Sequence, residues 1–454
     1  MISNILFSNR TIFSNSFSCL LLIGLICVGV QTTNAQETTQ SRWSQFRGLG
    51  NGEAIASAKP PIKWDAEQTV WEVDIPGTGW SSPVYQNERA WMTSAVVVPL
   101  SKEEIEKKLA GDPMKGMKTA AGSIDLHAIC VDLESGKLVR NIKLATIDDP
   151  DPINPLNSYA SPTPVIADGK VVCHFGNYGT WCLEADSGQQ IWNKQFVVKH
   201  SVGPGSSPIA FGTKAIIVCD GTDQQYVVAV DLNDGSQVWK TDRPPIDARN
   251  GEFRKAYSTP LLIDVEGKKQ AVIPGAQWVV AYDPDTGEEL WRVNHGKGFS
   301  VTPMAAFEDG TVIFSTGFMK PEFVAIDPQG TGDVTDSHVI WRAKNAPSMP
   351  SFITDGGQIF SVSDKGIMYC FDAKTGEEIN RDRVGGNFSA SPLLAGGNLY
   401  LSSREGKITI VKCSSELEKI GTQDVGGSIM ASPVIFGNDL IIRTDKKLLR
   451  IKGQ

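Results

Sequence analysis

One short pattern constrains this chain more than any other feature: a small or hydroxyl-bearing residue, then proline, then two apolar residues. It stands at Ser82-Pro83, Thr163-Pro164, Ser207-Pro208, Thr259-Pro260, Thr302-Pro303, Ser391-Pro392 and Ser432-Pro433, and a degenerate copy, Pro350-Ser351, fills the remaining gap. Eight starts result, recurring roughly every 45 residues once an insertion at 96–123 in the first repeat is set aside. Proline lacks an N–H and has a fixed φ, so within a sheet it belongs at a strand start. Each start opens the same order of elements. A strand such as Val165-Ile166 meets the turn Asp168-Gly169, and a second strand follows from Val171 to Phe175. The third strand ends in a small residue, any residue and an acid, as in Cys130-Val131-Asp132, Ala229-Val230-Asp231 and Ala281-Tyr282-Asp283. A glycine-ended turn leads to Trp192, Trp239 or Trp291 on the fourth strand. Four short strands in a unit of this length form the blade of a propeller.

The two chain ends predict how the ring closes. The eighth repeat supplies Pro433–Phe436, Leu440–Arg443 and Leu448–Ile451, then stops without its tryptophan strand. An orphan strand of that kind, Val70-Trp71-Glu72-Val73, stands near the N-terminus and reads like Val238-Trp239-Lys240-Thr241. An open ring would leave an unpaired sheet edge. The expectation is therefore an all-β, eight-bladed propeller of four-stranded blades, closed by the N-terminal strand on the last blade. The domain reading is a signal peptide at 1–35, an extension at 36–62 and the propeller at 63–454. Helix is expected only after Ser101-Lys102-Glu103-Glu104, a capping box opening a short helix through Leu109.

The repeat Asp-x-x-(Ser/Thr/Asp)-Gly-x-x-x-Trp, seen whole at Asp231–Trp239 and Asp283–Trp291, resembles the PQQ-type propeller repeat. Quinoprotein alcohol dehydrogenases and BamB-type outer-membrane assembly lipoproteins share that repeat, and the likeness covers roughly residues 63 to 454. Likeness to the assembly proteins implies a non-enzymatic binding or scaffold protein of the cell envelope. Likeness to the dehydrogenases implies PQQ held with calcium, a carboxylate base and a disulfide between adjacent cysteines. This sequence has no adjacent cysteine pair and no acidic motif that aligns with the family's calcium ligands. The expectation is no cofactor, with PQQ and calcium as the alternative.

The first 35 residues read as an export signal: Arg10 is the one charge, Cys19–Val30 is a short apolar run, and Thr33-Asn34-Ala35 offers a cleavage site. Ile26 before Cys27 does not suit lipidation, so a plain cleaved signal and a periplasmic or secreted protein are expected. No later stretch is apolar enough to span a membrane. With 43 basic and 51 acidic residues the formal net charge is -8, which disfavours nucleic acid and anionic lipid as main partners. The five histidines and the cysteines after the signal show no zinc or haem spacing. A monomer binding a protein, a peptide or a polar small molecule is the partner expectation.

Several residues invite chemistry. The repeat acids Asp132, Glu184, Asp231, Asp283, Asp327 and Asp372 are read as turn acceptors beside left-handed glycines, and the repeat tryptophans as seam packing. Trp181 and Trp278 break the pattern and are candidates to face a central funnel. Cys173 and Cys182 flank Gly176-Asn177-Tyr178-Gly179 symmetrically, and a tight hairpin would set them opposite, within reach of a disulfide. Against that, Cys130 and Cys370 occupy the position of Cys182 in other repeats with no evident partner. The turns between second and third strands share one face with the blade crossings, and that face collects the polar residues. The ligand-binding candidates there are Tyr159, Asp220, Asp223, Arg254, Tyr257, Lys320, Asp364 and Arg404. A funnel of mixed charges and phenols is expected, with the helical insertion as a lid or a rim decoration, and no catalytic residue is assigned.

Overall fold

In the computed structural model, residues 42–454 are described except Leu49 and Ala56, and the export signal read at 1–35 lies outside them. The repeats form eight sheets of at least four strands, antiparallel but for the short Gly332–Asp333, which adds parallel to the outer strand of the fourth blade. The second blade shows the plan: Val165–Ala167 innermost, then Lys170–His174, Thr180–Glu184 and the outer Gln190–Lys194. The last blade is composite. Val434–Phe436, Asp439–Arg443 and Lys447–Ile451 are completed by Thr69–Asp74, which pairs antiparallel with Lys447–Ile451 in the register Trp71↔Arg450. An early and a late segment of the chain thus share one sheet, and Thr69–Asp74 covers the edge that Lys447–Ile451 would otherwise leave open.

The repeat motif encodes how one blade docks on the next. The Trp71 indole of the last blade lies on Gly136 of the first, where an added Cβ would come within 2.6 Å of the ring. Gly136 also has φ +71°, so the position excludes a side chain on two grounds. Trp192, Trp239 and Trp341 each donate the indole N–H to a backbone carbonyl of the following blade, at Leu232, Pro284 and Ala373. Where the repeat carries Arg140 or Asn380 instead, those side chains reach the next blade's carbonyls at Ser187 and Ser415. The turn aspartates behave as expected: Asp132 accepts from the Ser135 N–H, and Asp372 from those of Lys374 and Thr375, whereas the Glu184 carboxylate takes no such bond among the described residues.

The second blade corrects the disulfide expectation. Its hairpin closes through a 3-10 turn at Gly176–Tyr178, and the register is His174↔Thr180, Cys173↔Trp181 and Val172↔Cys182. The cysteines are one step out of register, and a one-residue step turns a side chain to the other face of a sheet. Cys173 is buried in the core shared with the first blade and Cys182 in the core shared with the third. Both thiols are free.

Two segments outside the repeat shape the centre. The insertion extends the middle strands of the first blade, Arg89–Pro99 and Ala121–Asp132, and carries the helix Lys102–Lys108 with the reciprocal Ser101–Glu104 cap. The N-terminal extension enters the ring. Arg42–Trp43 pairs along the inner edge of the first blade, and the Ser44 carbonyl accepts from Ile166 of the second. Gly50 approaches Leu261 and Met304 of the fourth and fifth blades, and Arg47 donates to Phe352 O of the sixth. The chain then leaves along the seventh blade, where the Ala54 N–H donates to Leu394 O and the Leu394 N–H to Gly52 O across the Glu53↔Leu394 bridge. This segment is a plug in the central channel. Nothing in its sequence marks it as such, because its partners lie in six different blades. No helix among the described residues is long and apolar enough to cross a membrane.

Candidate functional site: a one-ended central cavity

The residues that open the repeats meet around the propeller axis. Six of the eight donate the backbone N–H to the hydroxyl of the next blade's counterpart, beginning with Ser82 to Thr163 at 2.9 Å, Thr163 to Ser207 at 2.9 Å, and Ser207 to Thr259 at 3.1 Å. The belt resumes with Ser351 to Ser391 at 3.0 Å, Ser391 to Ser432 at 2.9 Å, and Ser432 back to Ser82 at 3.1 Å. At the fifth blade Thr302 turns its hydroxyl to Ser300 O, and the Met304 N–H reaches Ser351 Oγ instead. A hydroxyl before proline thus clasps one blade to the next, which gives the repeated Ser/Thr-Pro step a physical reason.

Above the belt lies a cavity of about 290 Å³. Strand alternation decides which residues line it. The residue two positions before each belt residue faces in: Trp80, Ser161, Gly205, Tyr257, Ser300, Met349, Ser389 and Met430. Phe46, from the plug, lines it as well, and Met114 and Met117 of the insertion complete the wall. The insertion therefore contributes through the turn after its helix. The helix residue Ile105 lines a separate cavity beside Tyr159.

The mouth is apolar. Met117, Leu156 and Phe318 line it and are each more than two-fifths exposed. Phe299 packs edge-on against Phe253 at 4.7 Å and against Phe318 at 6.0 Å. The described wall holds no Asp, Glu, His or Cys. Its one charged residue, Lys255, is buried and paired with Glu252. Four methionines in one wall make an adaptable surface, since the side chain is flexible and polarizable.

This wall differs from the funnel of charges and phenols that the sequence predicts, because most of the eight candidates hold loops in place behind it. Tyr257 alone lines the cavity, and its hydroxyl donates to His200 O at 2.9 Å. Tyr159 is buried and donates to Asp151 O. Asp220 is buried 3.2 Å from Arg243, and burial pushes its carboxyl up to about 6 against the pull of that guanidinium. Asp223 accepts from the Lys199 N–H, and Arg254 donates twice to Ala248 O. Asp364 and Arg404 come together around one cavity residue: Asp364 accepts from the Met349 N–H, and Arg404 reaches Met349 Sδ at 3.1 Å. Lys320 and Asp364 share a separate cavity between the fifth and sixth blades. Trp181 packs edge-on against Phe175 and Trp278 donates to Pro245 O, and neither lines the central cavity. The tryptophan that does, Trp80, carries a signal the repeat could have given: its place two residues before Ser82.

Fold and cavity define a PQQ-type eight-bladed propeller whose channel is plugged at one end and open at the other. The chain belongs to the family described as outer membrane protein assembly factor BamB, which matches residues 62–241, 275–335 and 332–416. A curated relative, the outer membrane protein assembly factor BamB of Legionella pneumophila (strain Paris), is 22% identical over 263 residues, or 56% of this chain. The match spans about half, 51%, of that relative's length. Among solved structures, BamB from Moraxella catarrhalis is similar with a TM-score of 0.53 and 12% identity, over 85% of this chain and 99% of its own. A europium-containing methanol dehydrogenase reaches a TM-score of 0.61 at 11% identity, over 90% of this chain and 91% of its own. At such identities both share the fold alone.

Proposed function

We propose that this chain is an exported, non-enzymatic binding propeller that serves outer-membrane protein assembly by holding an extended protein segment at the mouth of its central cavity. The observation that carries this reading is the wall. Methionine, phenylalanine, leucine and tryptophan side chains surround an opening that a rigid ring holds in place, and apolar area left exposed in such a setting favours burial against a partner. The wall's hydroxyls and Lys255 have no carboxylate or imidazole beside them in the cavity to act as a base, and Lys255 is already bonded to Glu252. Membership of the assembly-factor family supports the same direction.

The quinone alternative fits these residues poorly. PQQ-dependent oxidation requires oxygen ligands around a cation beside the quinone and a carboxylate to take the alcohol proton. No Asp or Glu lines the cavity among the described residues, and no group of three or more His, Cys, Asp or Glu is placed to hold a metal. The side-chain amides of Asn154 and Asn157 are engaged with backbone groups.

The reading is tested by aggregation of an unfolded outer-membrane β-barrel protein diluted from urea, with and without the purified chain. Equimolar protein should delay aggregation, and Phe318→Glu or Met117→Glu should abolish the delay while thermal unfolding stays unchanged. Full activity in both variants would place the binding surface elsewhere.

A further inference from the structure

We propose that the cleft between the fifth and sixth blades receives an acidic stretch of the protein segment held at the mouth, its carboxylates lying among Lys320, Lys344 and Lys365. The inference rests on the reading of the mouth given above and adds the chemistry of the segment: apolar side chains for the mouth, and aspartate or glutamate next to them in sequence for the cleft. The cleft has a volume of about 510 Å³ and adjoins the central cavity, since Ser348 stands in the wall of both. The loop after Thr311–Ser315 gives Phe318 to the mouth and Lys320, two residues on, to the cleft. A chain lying across the apolar wall therefore has the lysines beside it.

The positive charge of the cleft has no partner within the fold. Lys320 comes from a turn of the fifth blade, Lys344 ends that blade's outer strand Val339–Lys344, and Lys365 comes from the matching turn of the sixth; all three line the cleft and are exposed. None forms an ion pair or a hydrogen bond among the described residues, unlike Lys170, Lys214 and Lys447, each held by a carboxylate. The two carboxylates in the cleft wall are engaged elsewhere. Glu322 stands across the strand pair from Lys344 but reaches Arg342 at 3.9 Å, and Asp364 accepts from the Ser348 and Met349 N–H groups. In a protein with a net charge of -8 this cleft is a local exception, and a concave wall of one sign focuses its field on what enters. The backbone fixes the loop that presents Lys320: Met319 and Lys320 are both left-handed, at φ +61° and +63°, a costly conformation without glycine that persists only where the surroundings impose it. A bilayer or a nucleic acid calls for a broad basic face. Ammonium groups around a concave cleft beside an apolar wall match the side-chain carboxylates of an extended segment.

The test is fluorescence anisotropy of the purified chain with two labelled peptides. The first has one half in which leucine and threonine alternate and one half of glutamate; in the second, glutamine replaces every glutamate. At low ionic strength the glutamate peptide should bind about tenfold more tightly than the glutamine peptide, and the gap should close at about 0.5 M salt. Lys320→Gln/Lys344→Gln/Lys365→Gln should bind the two peptides equally, with thermal unfolding unchanged, as expected of exposed positions. Lys137→Gln/Lys268→Gln/Lys374→Gln, which removes the same charge from exposed turns on the opposite face, should keep the preference. The glutamine peptide reports the mouth alone. If the parent binds both peptides equally, or if the two triple variants lose the preference alike, the cleft is no docking site and the mouth reading stands. If only the glutamate peptide binds, and only the cleft lysines matter to it, the cleft stands and the mouth reading falls. Failure of both peptides to bind overturns both. Binding of phosphatidylglycerol vesicles that is lost in the cleft variant, with no preference between the peptides, would make the cleft a lipid contact and overturn the proposal.

Discussion

The indole N–H of Trp71 donates to the carbonyl oxygen of Leu133 at 2.9 Å. The bond joins the last blade to the first, because Trp71 completes the sheet of Lys447–Ile451 while Leu133 follows the third strand of blade one. Arg450 reinforces the seam by reaching the same carbonyl at 2.7 Å and Glu134 at 3.0 Å. Trp71→Ala removes the half-buried ring and its bond together. It should lower the unfolding free energy by on the order of 3 kcal/mol, as for other packed aromatics. Urea titration of the two proteins checks this, and an unchanged midpoint would mean that the ring does not depend on this clasp.

Asp220 and Asp223 are three residues apart and should respond very differently. Asp220→Ala strands the buried Arg243 guanidinium and should cost about 3–5 kcal/mol. Asp223→Ala removes one exposed bond to Lys199 N–H and should cost roughly 1 kcal/mol or less. Equal and small losses in both would free Asp220 to act as a ligand-binding residue after all.

Acid should weaken the fold through three buried histidines. Burial pushes His174 down to about 3 and both His200 and His295 down to about 4, from an ordinary value near 6.5. Between about pH 6.5 and 4 the unfolded chain binds protons that the folded chain refuses. Stability is therefore full above that window and falls as pH drops through it, by at most ~1.4 kcal/mol per pH unit per histidine. Neither ring nitrogen of His200 has a partner, so His200→Leu removes one of these protons and leaves no polar group stranded. Urea midpoints at pH 7.5 and 5 should lie closer together in His200→Leu than in the parent. An identical pH dependence would show that His200 titrates normally.

The blades were legible because their signals are local. Proline starts, glycine turns and tryptophan strands recur at fixed steps, and the missing strand at one end matches the orphan at the other. The cavity was less so. Asp220 reads as a polar turn residue until Arg243 from the end of the blade's outer strand is placed beside it, and Arg404 reads as exposed until Met349, from the preceding blade crossing, covers it. Charge in a turn does not say whether the side chain points to solvent or back into the fold. The inward positions did have a signature, two residues before each belt hydroxyl, but most of them are serine, glycine or methionine and attract no notice one at a time. The plug has no local signature at all: Phe46 and Arg47 acquire their roles from blades up to three hundred residues away.

The claim that a partner docks at the apolar mouth is tested most directly by hydroxyl-radical footprinting of the intact protein, alone and with the unfolded β-barrel protein bound. Met117, Met349, Met430 and Phe318 should become protected, while Met92 and Met368, buried within the first and sixth blades, should react equally little in both states. Protection confined to the opposite face, at turns such as Asp168-Gly169 or Gly396-Gly397, with these four cavity residues unchanged, would contradict it.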